Sequence, residues 1–136
     1  VNVEQVHESV WVALQSIAGS ALTVYDGIVP ETPATNYAVL WMGSSRAAST
    51  RVGWKATDLT GGFQITCVSR NSPRACSATV DKVRAKITGL RLGDPLDPNA
   101  PRCKEDATPQ QPPPDQSIPG DIRYWMPMPY RLETSL

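Results

Sequence analysis

Six consecutive apolar residues, Tyr37, Ala38, Val39, Leu40, Trp41 and Met42, constrain this chain more than any other feature. A short apolar run between loop-forming stretches reads as a strand, and a strand sends alternate side chains to opposite faces. Tyr37, Val39 and Trp41 then share one face and Ala38, Leu40 and Met42 the other, so both faces are expected to be covered. That requires a sheet with another layer packed upon it. A chain of 136 residues can bury about two-thirds of its unfolded surface and forms one domain by default.

Two amphipathic helices supply the second layer. Val3, Val6, Val10, Ala13, Leu14 and Ile17 fall within an arc of about 100° at helical spacing, with Gly19 as the stop. Trp11 and Val12 lie off that stripe, which makes Trp11 a candidate subunit contact. Asn71, Ser72 and Pro73 form a helix start, because a side-chain oxygen caps free N–H groups and proline fits the first turn. Cys76, Val80, Val83, Ile87 and Leu90 follow within an arc of about 80°, a narrow seam suited to one sheet face. Gly89 ends this helix.

The remaining segments read as strands and one extended arm. Residues 22–25 form a short strand, followed by a loop marked by Asp26, Gly27, Pro30 and Pro33. Residues 50–57 alternate Val52, Trp54 and Ala56 with Arg51, Gly53 and Lys55. Phe63, Ile65 and Cys67 alternate with Gln64, Thr66 and Val68. The turn at Asp58, Gly61 and Gly62 would make these two strands antiparallel neighbours. Residues 122–126 and 130–132 read as strand interrupted by Pro127 and Pro129, which should mark an edge or a break. Residues 93–121 hold 8 prolines in 29 positions, the composition of an extended arm.

The expected fold is α+β: a mostly antiparallel sheet of four to five strands packed by two helices. Residues 1–92 form the core, 93–121 the Pro-rich arm, and 122–136 a final strand and tail that rejoin the core. The arm carries Asp94, Asp97, Glu105, Asp106, Asp115 and Asp121 against Arg102 and Lys104. The second helix and its flanks carry Arg74, Lys82, Arg84, Lys86 and Arg91 against Asp81. Two solvated surfaces explain this, and so does an acidic arm laid across the basic helix of its own or a neighbouring protomer.

Little in the chain points to chemistry. Thirteen basic and thirteen acidic side chains give a net charge of zero, which argues against nucleic acid as a primary partner. No apolar run is long enough to cross a bilayer, and the N-terminus lacks the basic flank and apolar stretch of a signal peptide, so a soluble, non-secreted chain without a membrane partner is expected. Cys67 and Cys76 fall on apolar stripes and read as small buried hydrophobes. Cys103 lies between Arg102 and Lys104, cations that would lower its pKa, but no histidine is near it in sequence. The single histidine, His7, lies in the first helix without an evident catalytic partner. Phosphate-loop, dinucleotide, zinc-protease and EF-hand spacings are absent. The carboxylate pairs Asp26 with Glu31 and Glu105 with Asp106 sit in turn-like or Pro-rich sequence and do not distinguish an active site from solvated loops. No enzyme, cofactor or metal is expected.

The order of these elements carries a resemblance. Val24, Tyr25, Asp26, Gly27, Ile28, Val29 and Pro30 form a strand-to-turn motif, and Asn36 through Leu40 open the apolar strand. Phe63, Gln64, Ile65, Thr66, Cys67, Val68 and Ser69 precede the helix that contains Ala78, Thr79, Val80, Asp81, Lys82, Val83 and Arg84. In this order and spacing the sequence resembles the tail terminator (tail completion) proteins of long-tailed bacteriophages and related prophages, over residues 5 to about 92 and the closing strand near Tyr124 and Leu132. The long Pro-rich segment departs from the shorter connection of that family. The resemblance implies a structural virion protein of the tail and neck, made in the bacterial host cytoplasm. It implies a homohexameric ring that caps the tail tube protein, ends polymerisation, and meets the head-side connector or stopper protein, with DNA a partner only by passage through the lumen.

Residues 42–55, with Arg46, Arg51, Trp54 and Lys55, form the candidate tube-facing or inter-subunit segment, and Trp11 and Trp125 are further candidate contacts. The competing expectations are a head–tail stopper or connector adaptor ring, a cellular binding module that offers Pro112, Pro113 and Pro114 to aromatic grooves, and, least of all, an enzyme acting through Asp26 or Glu31.

Overall fold

The computed structural model describes residues 3–19, 21–43, 46–47, 59–60, 62–92, 101–106 and 111–133. Helix α1 (Val3–Ile17) is followed by β1 (Thr23–Asp26) and β2 (Asn36–Met42). Next come β3 (Arg46–Ala47), β4 (Leu59–Thr60), β5 (Gly62–Ser69) and helix α2 (Pro73–Ile87). The chain closes with β6 (Arg102–Glu105), β7 (Asp115–Ile118) and the long β8 (Asp121–Glu133). The main sheet runs β1-β2-β5-β8-β6, with β7 also paired to β8. Only β1 and β2 pair in parallel; the other pairs of this sheet are antiparallel. β3 and β4 form a separate two-stranded ribbon.

Both helices lie on one face of the sheet, and local chemistry explains where α2 starts and stops. The Ser72 hydroxyl accepts the Ala75 N–H at 3.1 Å, satisfying one of the free donors of the first turn. At the other end the Thr88 N–H returns to the Arg84 carbonyl, and Gly89 takes φ +84°, a conformation that suits glycine. Cys76, Val80, Val83 and Ile87 of the expected seam are buried, while Leu90 lies beyond the helix and is half-buried. They meet Val10 and Leu14 of α1 and, from the sheet, Leu40, Ile65 and Met128. Each such side chain contributes roughly 1.5–3 kcal/mol through loss of water contact. Phe63 and Tyr130 stack with centroids 5.3 Å apart, which ties β5 to β8 on this face.

Four features depart from the sequence expectation. The main sheet has six strands, more than the four to five expected, and the excess comes from the Pro-rich region. Two parts of that region, β6 and β7, are strands on β8, so residues 93–121 are not an arm from end to end. Cys103 of β6 is fully buried, and Glu105 accepts from Arg84 of α2 at 2.8 Å. That pair is one described contact between the acidic segment and the basic helix, within the same chain.

β5 is flanked by β2 and β8 along its length. Residues 50–57, expected as its hairpin partner, lie outside the described residues. The strand next to the turn, β4, pairs with β3 instead.

β8 is continuous through Pro127 and Pro129, where a break was expected. In an antiparallel ladder a residue's N–H and C=O point to the same neighbour, and successive residues alternate. The Asp106 N–H donates to the Pro129 carbonyl at 2.9 Å, so odd-numbered residues of β8 address the β6 side and even-numbered residues address β5. Both prolines are odd-numbered. β6 lies opposite residues 130–133 and β7 opposite residues 121–123, leaving 124–129 without a described strand on that side. The missing donors fall at this local edge, where no ladder needs them.

Candidate interface on the open sheet face

The second face of the sheet follows from strand register. Tyr37 of β2, Val68 of β5 and Trp125 of β8 form one cross-strand row. Val39, Thr66 and Pro127 form the next, and Trp41, Gln64 and Pro129 the third. Among the described residues no helix covers this side. Tyr37, Val39 and Val68 are buried beneath Tyr25, Val29 and Trp125, whereas Trp41 is 41% exposed. Both faces of β2 were expected to be covered; the face away from the helices is covered only in part. What remains is a shallow concavity of about 290 Å³, with Trp41 and Trp125 among its lining residues.

Polar groups hold one end of this face in place. Asp121 accepts from Arg70 Nε at 2.9 Å and from Arg123 Nη2 at 3.0 Å. Arg70 also reaches the Pro33 carbonyl at 2.8 Å, and Arg123 Nη1 donates to the Tyr37 hydroxyl at 3.2 Å. The hydrogen bond from Arg70, more than any other influence, holds the Asp121 carboxyl below its usual range. Burial works against the charge on Arg123, but Asp121 and Tyr37 outweigh it and raise its pKa. Burial raises the Tyr37 phenol despite the nearby Arg123. Tyr25 packs edge-on against Tyr37, centroids 5.5 Å apart, and its hydroxyl accepts the Ala34 N–H. These contacts fix the loop of residues 27–35 against the sheet, which gives the concavity a preorganised wall.

The candidate residues from sequence are scattered by the fold. Trp125 lies on the open face, half-buried, with its indole N–H donating to the Pro113 carbonyl at 3.1 Å. Trp11 is half-buried and packs against the main core from α1. Arg46 stands in β3, opposite Thr60. Arg51, Trp54 and Lys55 lie outside the described residues. Trp41, which the sequence did not single out as a contact, is an exposed tryptophan of the open face. Its strand position was visible in the sequence, but the absence of a covering layer was not.

The His7 ring nitrogen and an Asp26 carboxylate oxygen lie 2.7 Å apart, joining α1 to β1. All three cysteines are free and buried. Burial pushes Cys76 up to about 11 and Cys103 to about 12, and raises Cys67 as well. For Cys103 this reverses the expected effect of Arg102 and Lys104, because desolvation of a buried thiolate outweighs neighbouring charge. Among the described residues no cluster of His, Cys, Asp and Glu could hold a metal ion, and no helix is long and apolar enough to cross a membrane.

The molecule is an α+β two-layer fold with one helix-covered and one largely open sheet face. Among solved structures, a chain from the virion of a native gene transfer agent (GTA) particle shares this fold with a TM-score of 0.58. The match covers 94% of this chain and 92% of that chain at 16% sequence identity, a likeness of fold. No family model matches the chain, and none of the curated proteins matches it in sequence.

Proposed function

We propose that this chain is a structural protein of a phage-like virion, and within that class a tail terminator. Six copies close into a ring that caps the tail tube, ends its polymerisation and joins the tail to the head-side connector. The observation that supports this most is the fold shared almost end to end with a chain of the GTA virion. The strand-to-turn motif, the apolar strand and the strand before α2 that carried the sequence resemblance are β1 with its loop, β2 and β5.

Such a ring needs a heterologous contact whose rotation closes, and two end faces for different partners. It does not need a reacting pocket, cofactor or metal. An open sheet face bearing Trp41 and Trp125 has the aromatic composition of a protein contact. Trp11, Arg46, Arg51, Trp54 and Lys55 remain candidates for the other contacts, and DNA passes through the lumen without specific binding.

The test is to mix the purified chain with separated tail tubes and with connector-capped heads, then image both by electron microscopy. Rings at tube ends are expected. Binding to heads alone would move the protein to the stopper or adaptor position, and binding to neither would end the proposal.

A further inference from the structure

The open face carries a contact of a recognisable chemical kind. Residues 111–114 are Gln111, Pro112, Pro113 and Pro114, without helix or strand. Consecutive prolines favour the polyproline II conformation, whose carbonyls have no internal hydrogen bonds. One of those carbonyls, on Pro113, accepts the Trp125 indole N–H at 3.1 Å. A tryptophan that presents its ring face and donates from its ring nitrogen is suited to reading such a helix, because the ring packs on pyrrolidines while the N–H satisfies a carbonyl.

The concavity continues past this contact. Trp125 is at one side and Trp41 at another, with Tyr37, Val39 and Val68 beneath. The cis segment therefore leads into a larger aromatic and apolar groove. Proline-rich segments lose little conformational entropy when bound, which suits a shallow and mostly apolar groove. Two charged residues line it: Arg123, which is held by Asp121, and Asp115, whose carboxylate accepts the Ser117 N–H at 2.9 Å.

We propose that the open face is a binding groove for an extended proline-rich segment of a partner protein, with residues 111–114 of the same chain acting as an internal pseudo-ligand. The partner segment displaces the chain's own prolines and takes the Trp125 N–H. The cis segment is a tethered competitor, so its presence weakens the apparent affinity by the fraction of time that the groove is filled. The groove has this chemistry whether or not the chain closes a virion ring.

The probe is a fluorescein-labelled oligoproline peptide, titrated with the full chain and followed by fluorescence anisotropy. A glycine–serine peptide of equal length is the control. The triple variant P112G/P113G/P114G removes the preorganised competitor and is expected to bind the probe about tenfold more tightly than the unaltered chain. Within that background, Trp125→Phe keeps an aromatic ring but deletes the donor and should lose roughly three- to tenfold in affinity. Trp41→Ser tests the far side of the groove and should weaken binding without touching the cis contact. Thermal melts of each variant separate lost binding from lost folding. Equal binding of the control peptide, no saturable binding by the triple variant, or indifference to Trp125→Phe in a folded protein would each overturn the proposal. So would self-association of the triple variant without peptide binding, which would assign the face to a second copy.

Discussion

The Asp106 amide donates to the Pro129 carbonyl at 2.9 Å, and this bond sets the direction in which each residue of β8 offers its backbone. Odd-numbered residues, Pro127 and Pro129 among them, turn away from β5; even-numbered residues such as Met126, opposite Cys67, turn toward it. Proline should therefore be tolerated at one parity and not at the other. Pro127→Ala is expected to change stability by about 1 kcal/mol or less. Met126→Pro removes a donor from the β5 ladder and should cost at least about 1–3 kcal/mol from the orphaned acceptor alone. Urea denaturation of the two variants checks this, and similar losses in both would show that the parity is wrong.

Leu40 and Trp41 are sequence neighbours on opposite faces of β2. Leu40 is fully buried under the helices, so Leu40→Ala should cost about 2–5 kcal/mol in transfer and cavity terms. Trp41→Ala removes a side chain that is already partly in water and should cost about 1–2 kcal/mol. If the open face is a contact, Trp41→Ala nevertheless impairs assembly on tail tubes more than Leu40→Ala does at temperatures where both remain folded. Sedimentation of tube-bound against free protein measures the difference.

Acid should act through Asp121. Its folded-state pKa is held below the usual 3.8, first by the hydrogen bond from Arg70. A depressed carboxylate stabilises the fold above its unfolded pKa, and that contribution is lost as pH falls through the lower folded value. Stability should fall on acidification below about pH 4. Asp121→Asn should be less stable near neutrality and show a flatter acid limb. Thermal melts from pH 7 to pH 2 give the comparison; parallel acid limbs would exclude this carboxylate as a contributor.

The cysteines should be silent in the folded protein. Cys76 and Cys103 are pushed up to about 11 and about 12 by burial, and Cys67 is raised by the same cause. Thiolate is the reacting form. Labelling with a chromogenic disulfide at pH 8 should be slow in buffer and reach three thiols per chain only after denaturation. Rapid native labelling of even one would mean that its site opens without global unfolding.

The helices and the central strands were legible because their determinants are local. The Ser72 cap, the Pro73 start and the seam from Cys76 to Ile87 act within one or two turns, and the faces of β2 and β5 follow from a period of two. Without tertiary contacts, residues 102–105 and 115–118 read as part of a proline-rich arm. They became strands because β8 offers an edge that their own composition does not advertise. Pro127 and Pro129 read as interruptions for the same reason: whether a missing N–H matters depends on which neighbour it would have faced.

The amino-acid sequence by itself determined two amphipathic helices, an apolar central strand and the lack of spacing for familiar catalytic motifs, since each rests on side-chain identity at short range. The tertiary structure alone decided that β5 lies between β2 and β8, that Cys103 is buried, and that Trp41 and Trp125 share one open face beside the proline run. These depend on register and on what covers each face, which arise from pairing between residues far apart in the chain.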